Sequence, residues 1–169
     1  MNKWNNLRKM RRNEINTKNR KKLLADSAGR FYTDPIFTAL VLAPTPIWIF
    51  IYLQTGTIAQ LGAIPLLTLI LFYPVLEEII FRGILQPWIA QRWKQTLFSL
   101  SVANLITSTI FALLHLFEHS AIWGLATFIP SLIFGYSRER YNRLLAPIIL
   151  HASYNGGYFL IGATLINQY

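Results

Sequence analysis

Three ionisable side chains fall within six residues of one apolar run: Glu77, Glu78 and Arg82, in Pro74-Val-Leu-Glu-Glu-Ile-Ile-Phe-Arg-Gly-Ile-Leu-Gln86. In lipid each costs about 2.5–3.5 kcal/mol even on the mildest insertion scales, so such groups are kept where they pair and function. On a helix Glu78 and Arg82 stand four apart, Glu first, the favourable order for an ion pair on one face. Glu77 is rotated about 100° from Glu78 and is left without that partner. The spacing therefore divides the labour: Glu78 is neutralised by Arg82 and holds geometry, and Glu77 stays available.

Two further apolar segments carry polar stripes. Asn104, Ser108, Phe111 and His115 follow i, i+4, i+7, i+11, and His151 and Asn155 are four apart on a later segment. Carboxylates and histidines converging from separate helices are equipped for general acid–base work, metal ligation or proton relay. Thiolate chemistry and disulfides are excluded, because the chain has no cysteine. No serine or threonine has a charge-relay neighbour visible in the sequence.

The elements that must position these groups are read from composition. Of 169 residues, 53% are hydrophobic and only 14% charged, well under the roughly 25% of a soluble domain. Residues 1–30 hold ten of the 16 Lys and Arg. This points to an all-α, polytopic membrane helix bundle, with a basic cytoplasmic tail over 1–35 and a membrane-embedded domain over 36–169. The net charge of +9 is read as topology and attraction to anionic headgroups, not as nucleic-acid binding. A polar stretch of 35 residues before the first apolar run is too long for a signal-peptide n-region.

Five apolar segments, about 36–53, 61–81 and onward, 97–117, 121–136 and 144–166, approach the roughly 20 residues that span a bilayer. Arg92, Lys94, Arg138, Arg140 and Arg143 fall in alternate loops, and the loops at 54–60 and 116–120 carry no Lys or Arg. The expected topology is multi-pass in the cell membrane, N-terminus inside and C-terminus outside. Depth adds a constraint. Only if the second helix continues to about Arg92 does Glu77 lie roughly 22 Å above its inner end, close to the roughly 25 Å expected for His115. His151 starts lower, and spacing alone does not say how the last helix lifts it.

Glu77-Glu78-x-x-x-Arg82-Gly83, then Phe111-x-x-x-His115, then His151-x-x-x-Asn155 resembles the three-motif signature of the CPBP (CaaX protease and bacteriocin-processing, or Abi) family. These are intramembrane glutamic endopeptidases related to the Ras-converting enzyme. The resemblance covers roughly 60–160, and the five spans resemble compact members suspected of processing C-terminal sorting tails. It implies that Glu77 activates a water with help from His115. It also implies that His151 and Asn155 polarise the scissile carbonyl and stabilise the oxyanion, with Glu78 and Arg82 supporting. No metal and no cofactor is implied, and the implied partner is a membrane-anchored protein or peptide substrate.

Other readings stand beside this one. Two histidines and a glutamate could ligate zinc in a membrane metallopeptidase, although no His-Glu-x-x-His motif is present. A proton relay or transporter would use the same groups, but no internal repeat supports it. A non-catalytic immunity or scaffold protein could bind a partner through the same cavity.

Overall fold

The structure, a computed structural model, describes residues 31–55, 62–117 and 120–162. The basic tail up to residue 30, most of the first loop, Glu118 and His119, and the C-terminal Asn167-Gln168-Tyr169 lie outside the described residues. The packed structure begins at Phe31, in a single 3-10 turn (Phe31–Thr33). Phe31 is buried with Phe37 and Tyr141, four residues before the end of the stretch read from sequence as polar tail.

The described elements are helical except for one small hairpin. Helix α1 (Pro35–Gln54) is capped by Asp34, whose Oδ1 accepts the Ile36 N–H at 2.9 Å with Pro35 at the first helical position. It is broken between Leu42 and Thr45, at Pro44. Helix α2 (Ala63–Ala90) runs 28 residues. Then come β1 (Thr96–Leu97) and β2 (Leu100–Ser101), antiparallel with Thr96 opposite Ser101. Ser101 also caps α3 (Val102–His115), its Oγ accepting the Asn104 N–H at 2.9 Å. Helices α4 (Ala121–Ala126) and α5 (Phe128–Tyr141) meet at Thr127, so the fourth expected span is broken there. Asn142 ends α5 in the left-handed region at φ 50. Helix α6 (Leu145–Gly157) continues into a wide turn at Tyr158–Gly162.

Two wide π-type turns interrupt α2, and each ends just before a proline. The Tyr73 N–H reaches back five residues to the Thr68 carbonyl ahead of Pro74. The Gln86 N–H likewise reaches Phe81 ahead of Pro87. A proline ring clashes with the carbonyl four residues back, and a widened turn relieves that clash without ending the helix. Helix α2 therefore continues past Arg82 to Ala90, as the depth argument requires.

Helix α5 is central, packed on α3 and on α6, and the first half of α2 lies against α6. Polarity is inverted relative to a water-soluble domain. Glu78, Arg82, Asn104, Ser108 and Ser131 are fully buried, while Phe50, Leu53, Ile64, Leu67, Ile84 and Ile122 point outward. Such an exterior suits lipid, and inward-facing ionisable groups are the rule there. By length and hydropathy, α1 and α2 could each cross a membrane, and α3 is a shorter apolar helix.

Helix α6 does not begin level with the end of α2. A Cβ on Gly83 would sit 3.6 Å from Leu144 Cδ2, and Arg138 Nε donates to the Arg82 carbonyl at 3.1 Å. The turn before α6 is thus seated beside Gly83, well above Ala90. From Gly83 up to Glu77 is about 9 Å and from Leu144 up to His151 about 10 Å, at 1.5 Å per residue. That start point lifts His151 to the depth of the glutamates.

Candidate active site

Helical periodicity places Glu78 and Arg82 on one face of α2, and packing buries both completely. Arg82 Nη1 donates to Glu78 Oε1 at 3.2 Å. Arg82 Nη2 crosses to α5, donating to the Ser131 carbonyl at 2.9 Å and to Ser131 Oγ. The guanidinium lies over the rings of Phe111 at 4.9 Å and Phe134 at 5.6 Å, which suits a weakly hydrated, delocalised cation. A buried ion pair holds only if its remaining hydrogen-bonding capacity is met, and Ser131 meets part of it.

Helix α6 adds the next layer. His151 Nδ1 lies 2.9 Å from Glu78 Oε1, and its Nε2 lies 3.6 Å from Glu77 Oε2. A carboxylate only accepts, so Nδ1 carries a proton and donates it to Glu78. The imidazole is stacked on Phe134, ring centroids 4.7 Å apart and planes 21° apart. His151 is therefore clamped between two carboxylates with its plane set by an aromatic ring.

Glu77, by contrast, is 31% exposed at its side chain and opens onto a cavity of about 340 Å³. His115, His151 and Asn155 line the same cavity. His115 Nδ1 donates to the Phe111 carbonyl at 2.8 Å. A carbonyl also only accepts, so Nδ1 of that ring carries a proton. Asn155 Nδ2 donates to the Leu69 carbonyl at 2.9 Å, fixing the amide across the α2–α6 boundary and leaving its second N–H.

The structure thus brings Glu77, His115, His151 and Asn155 to one cavity and sets Glu78 and Arg82 beside it, closed to solvent. Asn104 and Ser108, on the α3 stripe, stay out of the cavity. Asn104 Nδ2 donates to the Leu132 carbonyl at 3.0 Å and its Oδ1 accepts from Ser108 at 3.1 Å, locking α3 to α5. Among the described residues no group of three or more His, Cys, Asp or Glu is arranged to hold a metal ion.

Several contributors were not expected from sequence. Ser131 fixes Arg82, Phe134 fixes the plane of His151, and Trp48 and Trp123 join Tyr158, which follows Asn155 on the His151 face, in an aromatic wall of the cavity. Ser131, Phe134, Trp48 and Trp123 act across helix–helix boundaries, and nothing in their own helices' patterns distinguishes them from packing residues.

The family described as Type II CAAX prenyl endopeptidase Rce1-like matches residues 59–157, more than half of the chain. That region contains all three motifs and every helix from α2 to α6. No curated protein and no solved structure matches.

Proposed function

This chain belongs to the Type II CAAX prenyl endopeptidase Rce1-like family, and on that premise we propose that it hydrolyses a peptide bond near the C-terminus of a membrane-anchored protein, using a glutamate-activated water. The supporting observation is the shared cavity: Glu77, unpaired with Arg82 and partly exposed, faces two histidines and an asparagine there.

In this reading Glu77 takes a proton from a water as the water attacks the scissile carbonyl. His115 assists through Nε2, its ring oriented by the Nδ1–H bond to the Phe111 carbonyl. The Nε2–H of His151 and the free N–H of Asn155 receive the oxyanion of the tetrahedral intermediate. The protonated Glu77 then passes its proton to the departing amine, so protons balance over the cycle. A positioned base contributes typically 10²–10⁴-fold, and one oxyanion donor about 3–4 kcal/mol. Glu78 acts through His151, whose Nδ1–H it accepts, and Arg82 holds Glu78 in place.

The reading extends to the whole chain. Residues 36–169 form a peptidase domain of five membrane spans, N-terminus inside and C-terminus outside. Residues 1–30 supply a basic cytoplasmic tail against anionic headgroups.

The test is cleavage of a farnesylated CaaX peptide and of an unprenylated membrane-anchored reporter, by detergent-purified wild type, Glu77→Gln and His115→Ala, with and without a strong zinc chelator. Expected is chelator-resistant cleavage that both substitutions abolish. Cleavage lost to chelator and restored by zinc would replace the glutamic reading with a metallopeptidase. No cleavage of either probe by folded wild type would favour a non-catalytic role.

A further inference from the structure

The cavity lies on one side of a packed stretch of the bundle, and the loop charges say which side of the membrane that is. Below Glu77, towards Ala90, successive layers are sealed. Glu78, Arg82 and Ser131 are fully buried. Gln86, 1% exposed, donates to the Gly135 carbonyl at 3.2 Å and to Glu139 at 2.7 Å. At Gly135 α3 and α5 approach so closely that an added Cβ would overlap the Asn104 side chain. Glu77 to Gln86 spans about 13 Å of helix at 1.5 Å per residue, all of it packed protein. Arg92 and Lys94 follow the end of α2 beyond this plug, and Arg138, Arg140 and Arg143 cluster about the turn beside its Arg82–Gly83 layer, where Arg138 Nε donates to the Arg82 carbonyl at 3.1 Å.

The walls of the cavity lie in the other direction. His115 is the last residue of α3, Trp123 and Thr127 flank the break between α4 and α5, and Tyr158 follows the end of α6. Trp48 stands in the second half of α1, ring centroid 6.4 Å from that of Tyr158. All five sit towards the end of the bundle whose loops, 54–60 and 116–120, contain no Lys or Arg. Basic loops mark the cytoplasmic side.

We infer that the cavity is reached from the extracytoplasmic face, and that its substrate is a membrane-anchored protein whose scissile segment lies at the outer side of the bilayer. This rests on the proteolytic reading for the word substrate, but the direction of access stands on geometry and loop charge alone. An aromatic wall over a single partly exposed carboxylate suits an extended apolar segment drawn from that interface. A lipidated tail confined to the cytoplasm would have to pass the Arg82–Gln86 plug.

The chain has no cysteine, so single cysteines report access cleanly. Thr127→Cys probes the cavity, and Gln95→Cys, exposed on the basic side, serves as the reference. Each full-length variant is treated with a charged, membrane-impermeant maleimide in right-side-out spheroplasts and in inverted vesicles. Expected is labelling of Thr127→Cys in spheroplasts and of Gln95→Cys in inverted vesicles only. Labelling of both in inverted vesicles only would overturn the inference, as would a Thr127→Cys that labels from neither side. In a second arm, an impermeant tailed peptide is added outside proteoliposomes of wild-type protein. Cleavage should scale with the fraction of molecules whose basic side is enclosed. Scaling with the opposite fraction overturns the direction of access. Absence of cleavage from both sides, with the labelling pattern intact, would sink the proteolytic reading and leave the outward opening standing.

Discussion

Arg82→Met removes the one guanidinium buried among the described helices. Arg82 is wholly buried, bonded to Glu78 at 3.2 Å and to Ser131, and enclosed by aromatic rings. The substitution roughly conserves volume, so the cost is electrostatic. Breaking a buried pair by removing one partner costs about 3–5 kcal/mol, because the other charge is left uncompensated. Here His151, 2.9 Å from the same carboxylate oxygen, partly compensates, which places the expectation near the lower end, about 3 kcal/mol. The double variant Glu78→Gln with Arg82→Met removes both charges yet keeps an acceptor for His151 Nδ1. It should recover about 2 kcal/mol relative to the single change, since the pair is worth little against a neutral replacement. Unfolding by SDS titration from mild detergent micelles, followed by helical circular dichroism, measures both. A single variant within about 1 kcal/mol of wild type, or a double variant less stable than the single, would refute the reasoning.

Other expectations follow from close contacts and caps. Gly135→Ala drives a methyl into Asn104, whose amide already bonds Leu132 and Ser108. It should destabilise by about 1–3 kcal/mol in the same titration. Gly157→Ala collides with three atoms of the Trp48 indole, so it should displace a cavity wall and lower cleavage more than it lowers stability. At the basic end, Asp34 is held below the ordinary carboxylate range, first by the Ile36 N–H and then by hydrogen bonds from Arg140 and Tyr141. A depressed pKa contributes stability above the unfolded value near 3.9, and that contribution is lost as pH falls through the lower folded value. Asp34→Ala should therefore cost about 1 kcal/mol at neutral pH, and its difference from wild type should shrink as the pH drops below about 4.

What the sequence made legible is what helix periodicity controls. The four-residue step from Glu78 to Arg82 predicts their contact, and the intervening 100° sets Glu77 apart. The need for Glu77 and His115 to share a depth predicts that α2 runs past Arg82, and it ends at Ala90. The common stripe of His151 and Asn155 predicts that both face the same space. Register between helices was not legible, because side-chain packing sets it. That His151 meets Glu78 depends on Leu144 seating beside Gly83, a choice no single-helix pattern encodes. The same is true of Ser131 under Arg82 and of Phe134 against His151. The break at Thr127 and the hairpin ahead of α3, with Phe98 at φ 57, left no hydropathy signal. Phe31 reads as the end of a polar tail because its burial partners lie in α1 and α5.

The central claim is that adjacent glutamates do different work, Glu77 as the base and Glu78 as the anchor of His151. It is tested most directly by measuring kcat for cleavage and unfolding free energy on the same preparations of wild type, Glu77→Gln and Glu78→Gln. Expected is a Glu77→Gln protein as stable as wild type but slower by at least about 10²-fold. Glu78→Gln should lose stability as well as rate, because Arg82 is left buried without its counter-charge. A folded Glu77→Gln protein that cleaves at the wild-type rate would contradict the claim.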